Sequence, residues 1–162
     1  TALAIGYAEL LGSLGILPDA VVGHSMGEVG AAYIAGVLDL SQAMRIICRR
    51  STLMQRTSGQ GAMALIELSA EDAQARLLGR EAQVSVAVSN SPRSSVISGD
   101  PAIVQQLVAE FQGEGVFCRL VKVDVASHSS QMEPLAVELI NELASLAPNE
   151  ARIPIYSTVL GR

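Results

Sequence analysis

The residues best suited to chemistry gather first at Gly23-His24-Ser25-Met26-Gly27, a G-x-S-x-G pentapeptide between the β-branched pair Val21-Val22 and a helix-like run. That context predicts a nucleophile elbow, in which a strand reverses sharply into a helix and holds the serine hydroxyl at the tip. Gly23 and Gly27 are expected to leave room for the turn, and the helix N-terminus to offer backbone N–H groups to a developing oxyanion. Ser25 is the candidate nucleophile. A serine hydroxyl is weak at neutral pH and needs a base within hydrogen-bond reach; the chain has two histidines. His24 adjoins Ser25, and side chains leaving an elbow diverge, so His24 is expected to fill a structural niche. His128 lies in the small, polar loop 124–130, between a strand and a helix, where groups of this kind collect in α/β sheets. It is the candidate base, oriented either by Asp124 or by a backbone carbonyl.

These groups need elements to hold them. Leu3, Tyr7, Leu10, Leu11 and Leu14 recur at helical spacing and Gly15 and Pro18 supply the stop, so a helix leads into the elbow strand. Beyond Ser25, one apolar stripe through Met26, Val29, Ala32 and Tyr33 is expected to run to Gly36, whose missing Cβ suits a left-handed helix end. The next helix, about 41–56, carries four arginines. At about 100° per residue Leu40, Ala43, Met44, Ile47, Ser51 and Met54 share one side, with Arg45, Arg49 and Arg56 opposite as a solvated face. Arg50 falls at the edge of the apolar arc. A guanidinium there must snorkel, meet a structural carboxylate, or bind an anion, and the pattern leaves the last two readings level.

Between 62 and 124 the texture changes to short strands and helices. Strands are expected over 63–68, 84–89, 95–98 and 116–123. One helix is capped by Ser69 with Asp72 and runs to about Gly79; a second opens at Asp100-Pro101 and runs to about Glu114. The order β-α-β-β-α-β is that of a ferredoxin-like split βαβ unit. A helix over about 131–147 and a strand over 153–156 follow.

With 162 residues, 49% of them hydrophobic, the chain can bury a core. A net charge of -5 and a pI near 5.0 argue against nucleic acid or an anionic membrane as the main partner. Cys48 and Cys118 lack a C-x-x-C or a neighbouring histidine, so no metal site is expected and both read as reduced thiols of a cytoplasmic protein. No apolar run approaches the length of a membrane span, and neither a span nor a secretory signal is expected. Thr1 opens directly in a helical pattern, and the expectation is a piece of something longer.

Five segments in order, Gly23-His24-Ser25-Met26-Gly27-Glu28, Arg50-Ser51-Thr52-Leu53-Met54, Gly61-Ala62-Met63-Ala64, Ser89-Asn90-Ser91-Pro92 and Val125-Ala126-Ser127-His128-Ser129, resemble the acyltransferase domains of modular polyketide synthases. They are similar also to bacterial malonyl-CoA:acyl-carrier-protein transacylases. The resemblance implies an α/β fold: an α/β-hydrolase-like large subdomain (1–61 and 123–162) with an inserted ferredoxin-like subdomain (62–122). It implies that Ser25 attacks an extender-unit coenzyme A thioester, that His128 takes and returns the proton, and that the acyl group passes to an acyl carrier protein. By it, Arg50 pairs with the free carboxylate of a malonyl-type group, the Met26 N–H is one oxyanion donor, and Val125, Ala126 and Ser127 bear on extender choice. The small Ser127 favours methylmalonyl, whereas Val125 departs from the tyrosine of methylmalonyl users. No permanent cofactor is implied: acyl-CoA is a substrate, phosphopantetheine comes with the carrier, and the other partners are domains of a multidomain synthase.

In the family a Gly-Gln-Gly stretch upstream of the elbow gives the second oxyanion donor, and a downstream carbonyl orients the histidine. Gly59-Gln60-Gly61 follows the elbow and is not assigned that role. An incomplete domain is therefore expected. A serine esterase or thioesterase shares the elbow logic but leaves Arg50 without a purpose. Docking of a carrier protein on Arg45, Arg49 and Arg56 is a weaker alternative to a solvated face.

Overall fold

The computed structural model describes residues 1–161 and divides into two compact units, Thr1–Thr52 with Ile140–Arg162, and Leu53–Leu139. Within the first, helix α1 (Ala2–Ser13) precedes the short strand β1 (Val21–Gly23), helix α2 (Gly27–Ile34) and most of helix α3 (Leu40–Gln55). Strand β6 (Ile155–Ser157) pairs parallel to β1, with Val21 opposite Ile155 and Gly23 opposite Ser157. Parallel partners require a crossover, and here more than a hundred residues supply it. The core of this unit is Ile5, Leu38 and Ala43, flanked by Val29, Ala32, Tyr33, Val37 and Ile46. Gly36 sits at φ 80°, as a helix-ending glycine should, and the Arg152 guanidinium fills the space a Cβ would need.

The expected α1 stripe is helical but not buried. Leu3, Tyr7, Leu10, Leu11 and Leu14 are all exposed, and the residue that α1 buries is Ile5, on a different side. Helical spacing reveals a helix with an apolar stripe; which side meets a neighbour is set by packing.

The second unit holds β2 (Ala62–Ile66), α4 (Ala70–Arg76), β3 (Val84–Ser91), β4 (Ser94–Gly99), α5 (Pro101–Gly113) and β5 (Cys118–Leu120). Its sheet order is β3-β4-β2-β5, antiparallel throughout, which is the ferredoxin-like arrangement that the order of elements predicts. Local chemistry fixes the helix starts: the Ser69 hydroxyl accepts from the Asp72 N–H at 3.0 Å, and the Asp100 carboxylate accepts from Ala102 and Ile103 with Pro101 in the first turn. One face of the sheet and both helices enclose Ile66, Leu77, Val84, Ile97, Val104, Leu107 and Phe111. The strand expected over 116–123 is only Cys118–Leu120, in register with Ile66 to Ala64 of β2.

After β5 the chain forms a 3-10 turn (Ser130–Met132) and helix α6 (Glu133–Glu142). The expected continuous helix over 131–147 is thus shorter. It stops where Arg45 donates to the Glu142 carbonyl at 2.6 Å and to the Ser145 hydroxyl at 2.9 Å, satisfying a carbonyl that a longer helix would have used. Arg49 pairs with Glu142, and Arg56 forms a two-pronged bridge with Glu138 at 2.7 and 2.9 Å. The three arginines are therefore not merely a solvated stripe; each holds a partner from α6. Among the described residues no helix is long and apolar enough to cross a membrane.

Candidate active site

Ser25 lies between β1 and α2 with φ 53°, a left-handed backbone that residues other than glycine rarely adopt. Two turns hold it there: Gly27 N–H donates to the His24 carbonyl at 2.8 Å, and Glu28 N–H to the Ser25 carbonyl at 3.0 Å. Gly23 is indispensable for this path, since a Cβ would run into the Glu28 nitrogen and the Gly27 carbonyl group. Gly27 has no such role. A Cβ there meets nothing within 4 Å, and Gly27 instead lines a cavity of about 410 Å³ with residues 20–24, Gly30 and Ala31. His24 is exposed and is among the residues lining this cavity.

With the Gly27 and Glu28 amides used in the turn, the Met26 N–H is the one left at the head of α2: among the described residues none accepts from it. The sequence did not single out Glu28. Its carboxylate accepts from the Thr158 N–H and hydroxyl, both at 2.9 Å, with the Ser157 hydroxyl at 3.4 Å. The Thr158 hydroxyl also lies 3.0 Å from the Gly23 carbonyl. Glu28 thus straps the first turn after Ser25 to the end of β6. An acid three residues beyond the serine was the available signal, but its partner is 130 residues away.

The Thr158 hydroxyl, with lesser help from the Thr158 and Ser157 hydrogen bonds and against some desolvation, holds the Glu28 carboxyl below its ordinary value. A depressed carboxylate pKa stabilises the fold above the ordinary carboxylate range, and that contribution is lost as pH falls through the lowered value. Glu28→Gln is accordingly expected to lower the melting temperature at neutral pH and to narrow the gap from wild type as the medium is acidified. An unchanged gap between neutral and acidic melts would contradict the strap.

Arg50 sits on α3 in register with Ala43, Ile46 and Leu53, so it belongs to the inward stripe rather than its edge. Leu40 and Ser51, expected on that stripe, are exposed. Arg50 is half-buried, and burial lowers its pKa from the ordinary arginine value. Among the described residues no carboxylate or other acceptor meets its guanidinium.

In the second unit, His128 also has a left-handed backbone, φ 61°. Its side chain is exposed, Ala126 is fully buried, and Val125 and Ser127 are half-buried. The Asp124 carboxylate accepts from the Ser58 hydroxyl. Ser25, Met26 and Arg50 thus belong to one unit and 125–128 to the other.

The acyl transferase domain model matches residues 1–162 of this chain. The chain belongs to the acyl transferase domain family. It is 43% identical over 160 residues to a mycocerosic acid synthase-like polyketide synthase of Mycolicibacterium smegmatis, covering 98% of the chain and 8% of that protein. The acyltransferase domain of phenolphthiocerol/phthiocerol synthase A from Mycobacterium bovis superposes with a TM-score of 0.92 at 39% identity, covering 97% of the chain and 59% of that structure. FabD from Acinetobacter baumannii superposes at 0.86 with 32% identity, over 94% of the chain and 51% of FabD. The chain therefore spans a small fraction of the synthase it matches and about half of the solved domains. Its fold is that of these acyl transferase domains, an α/β-hydrolase-like part with a ferredoxin-like subdomain.

Proposed function

We propose that this chain carries the acyl-transfer site of a polyketide synthase and moves a malonyl-type unit from coenzyme A to an acyl carrier protein. The Ser25 oxygen attacks the thioester carbonyl while His128 accepts the hydroxyl proton. The tetrahedral oxyanion leans on the Met26 N–H, and collapse expels the coenzyme A sulfur, which takes the proton back from His128. The carrier's phosphopantetheine thiol then gives its proton to His128 and attacks the seryl ester, and Ser25 leaves with that proton restored. No permanent cofactor enters this cycle. The functional division of the chain is read as a core of 1–61 and 123–162 with the ferredoxin-like insert at 62–122.

The observation that carries this reading is Arg50, half-buried and without an acceptor among the described residues. A planar guanidinium withdrawn from water is matched by a carboxylate accepting two parallel hydrogen bonds, and a malonyl-type acyl group brings one. An esterase of neutral acyl groups has no use for it. Ser127 is small and half-buried, which leaves space for an α-methyl group and favours methylmalonyl over malonyl. One methyl contributes only about 1–3 kcal/mol to such a choice.

The test offers equal concentrations of malonyl-, methylmalonyl- and acetyl-CoA and reads the Ser25 adduct by intact mass and peptide mapping. Carboxylated adducts that persist until carrier protein is added are expected. An acetyl adduct as the main species, or acyl groups released to water as fast as they load, overturns transfer of a malonyl-type unit.

A further inference from the structure

Gly59-Gln60-Gly61 has the composition of an anion-holding loop but takes no part in the function proposed above. Its place in the fold gives it another task. The turn after α3 grips the chain ahead of His128: the Gly59 N–H donates to the Asp124 carbonyl at 2.8 Å and the Gly61 N–H to the same oxygen at 3.3 Å. The Ser58 hydroxyl adds a hydrogen bond to the Asp124 carboxylate. Gly61 is buried, and a Cβ on it would collide with the Ala126 nitrogen and the Val125 carbonyl carbon. Those are main-chain atoms, which cannot swing aside as the end of a flexible side chain can.

The far side of the same segment is also tied. The Ser129 hydroxyl donates to the Ala126 carbonyl at 2.6 Å and accepts from the Gln131 N–H at 3.3 Å, and the Ser85 hydroxyl reaches the His128 carbonyl at 3.5 Å. His128 lies between these ties in its left-handed conformation. Backbone of that kind persists where the surroundings over-determine it. The Gly61 contact is the one that no other residue type can make.

We propose that Gly61, with Ser58 and Gly59, is a positioning clasp that fixes the path of residues 125–128 and so sets both the rate of proton transfer at His128 and the choice between extender units. The inference rests on the reading of His128 and of 125–127 given above. A displacement of about 1 Å at a reacting group can cost around a hundredfold in rate. Because the clasp bears on 125–127 as well as 128, a Cβ at position 61 changes which acyl group fits, not only how fast it reacts.

The experiment places Gly61→Ala, Ser58→Ala and His128→Ala separately in the polypeptide that carries this chain. Single-turnover acylation of Ser25 by malonyl-CoA and by methylmalonyl-CoA is followed by intact mass from about pH 6 to about pH 9, with thermal melts alongside. Gly61→Ala is expected to fold, to acylate at least about tenfold more slowly, and to change the ratio of the two thioesters at least about threefold. Ser58→Ala moves both quantities the same way by less. A folded Gly61→Ala with wild-type rate and ratio overturns the clasp. So does an equal slowing of both thioesters with an unaltered pH profile, which is the mark of a purely structural role. Should Gly61→Ala fail to fold, Ser58→Ala decides, and a wild-type ratio and rate in that variant overturn the proposal. A His128→Ala protein that still acylates Ser25 at the wild-type rate is a separate result: it removes the base on which the inference rests.

Discussion

Ser25→Ala is expected to take up no acyl group from malonyl-CoA, leaving the intact mass unchanged, and to lower carrier-protein loading by about four orders of magnitude or more. In the proposed cycle the acyl-enzyme is the only link between the two half-reactions, so an oxyanion donor and a base without the hydroxyl cannot carry an acyl group from one thiol to another. The backbone makes a companion variant informative. Ser25 holds φ 53°, which costs a residue with a Cβ about 1–2 kcal/mol. Alanine inherits that strain, whereas glycine does not. Ser25→Gly should therefore be as inactive as Ser25→Ala yet more stable than it by about 1 kcal/mol, read from urea midpoints at constant m-value. Equal midpoints for the two variants would mean that the turn at Ser25 is not strained. Transfer activity in either would mean that Ser25 is not the nucleophile.

The contrast between Ser25 and the residues around it marks what was legible in the sequence. The elbow could be read because its chemistry is local: a pentapeptide, a β-branched run before it and a helical stripe after it. The ferredoxin-like unit was legible for a similar reason, since six short elements in order leave few ways to pair, and Ser69 and Asp100 announce two helix starts. What escaped depends on atoms far apart in the chain. Glu28 looks like an ordinary acid at a helix start until Thr158 arrives beside it, and Arg45, Arg49 and Arg56 look merely solvated until α6 supplies Glu142 and Glu138 and the turn after it supplies Ser145. Gly27 looked as necessary as Gly23 because the motif repeats the residue type, yet only Gly23 is pressed against backbone. Helical spacing alone puts Arg50 at the margin of the α3 arc, but the buried positions of that helix are Ala43 and Leu53, with which Arg50 is in register.

The inward placement of Arg50 gives its substitution a large effect. Arg50→Ala should reduce the preference for malonyl-type over acetyl thioesters by about 2–5 kcal/mol, the range for truncating one partner of a buried, hydrogen-bonded charge pair. In kcat/KM this is roughly 30- to 5,000-fold. The loss should fall on carboxylated substrates, because the guanidinium matches their charge, while acetyl transfer holds or rises once a neutral acyl group no longer lies against a desolvated cation. Arg50→Lys should recover part of the preference, since it restores the charge but not the planar fork. Stability moves the other way. Desolvation depresses the Arg50 pKa, so the uncharged, similarly long Arg50→Met should melt above wild type while sharing the selectivity defect of Arg50→Ala. Selectivity assays by mass and melting curves on the same three proteins check both halves. If Arg50→Ala keeps wild-type preference for malonyl-type thioesters, the carboxylate is bound elsewhere. If Arg50→Met melts below wild type, the guanidinium is structural, and its lack of an acceptor among the described residues no longer argues for a substrate.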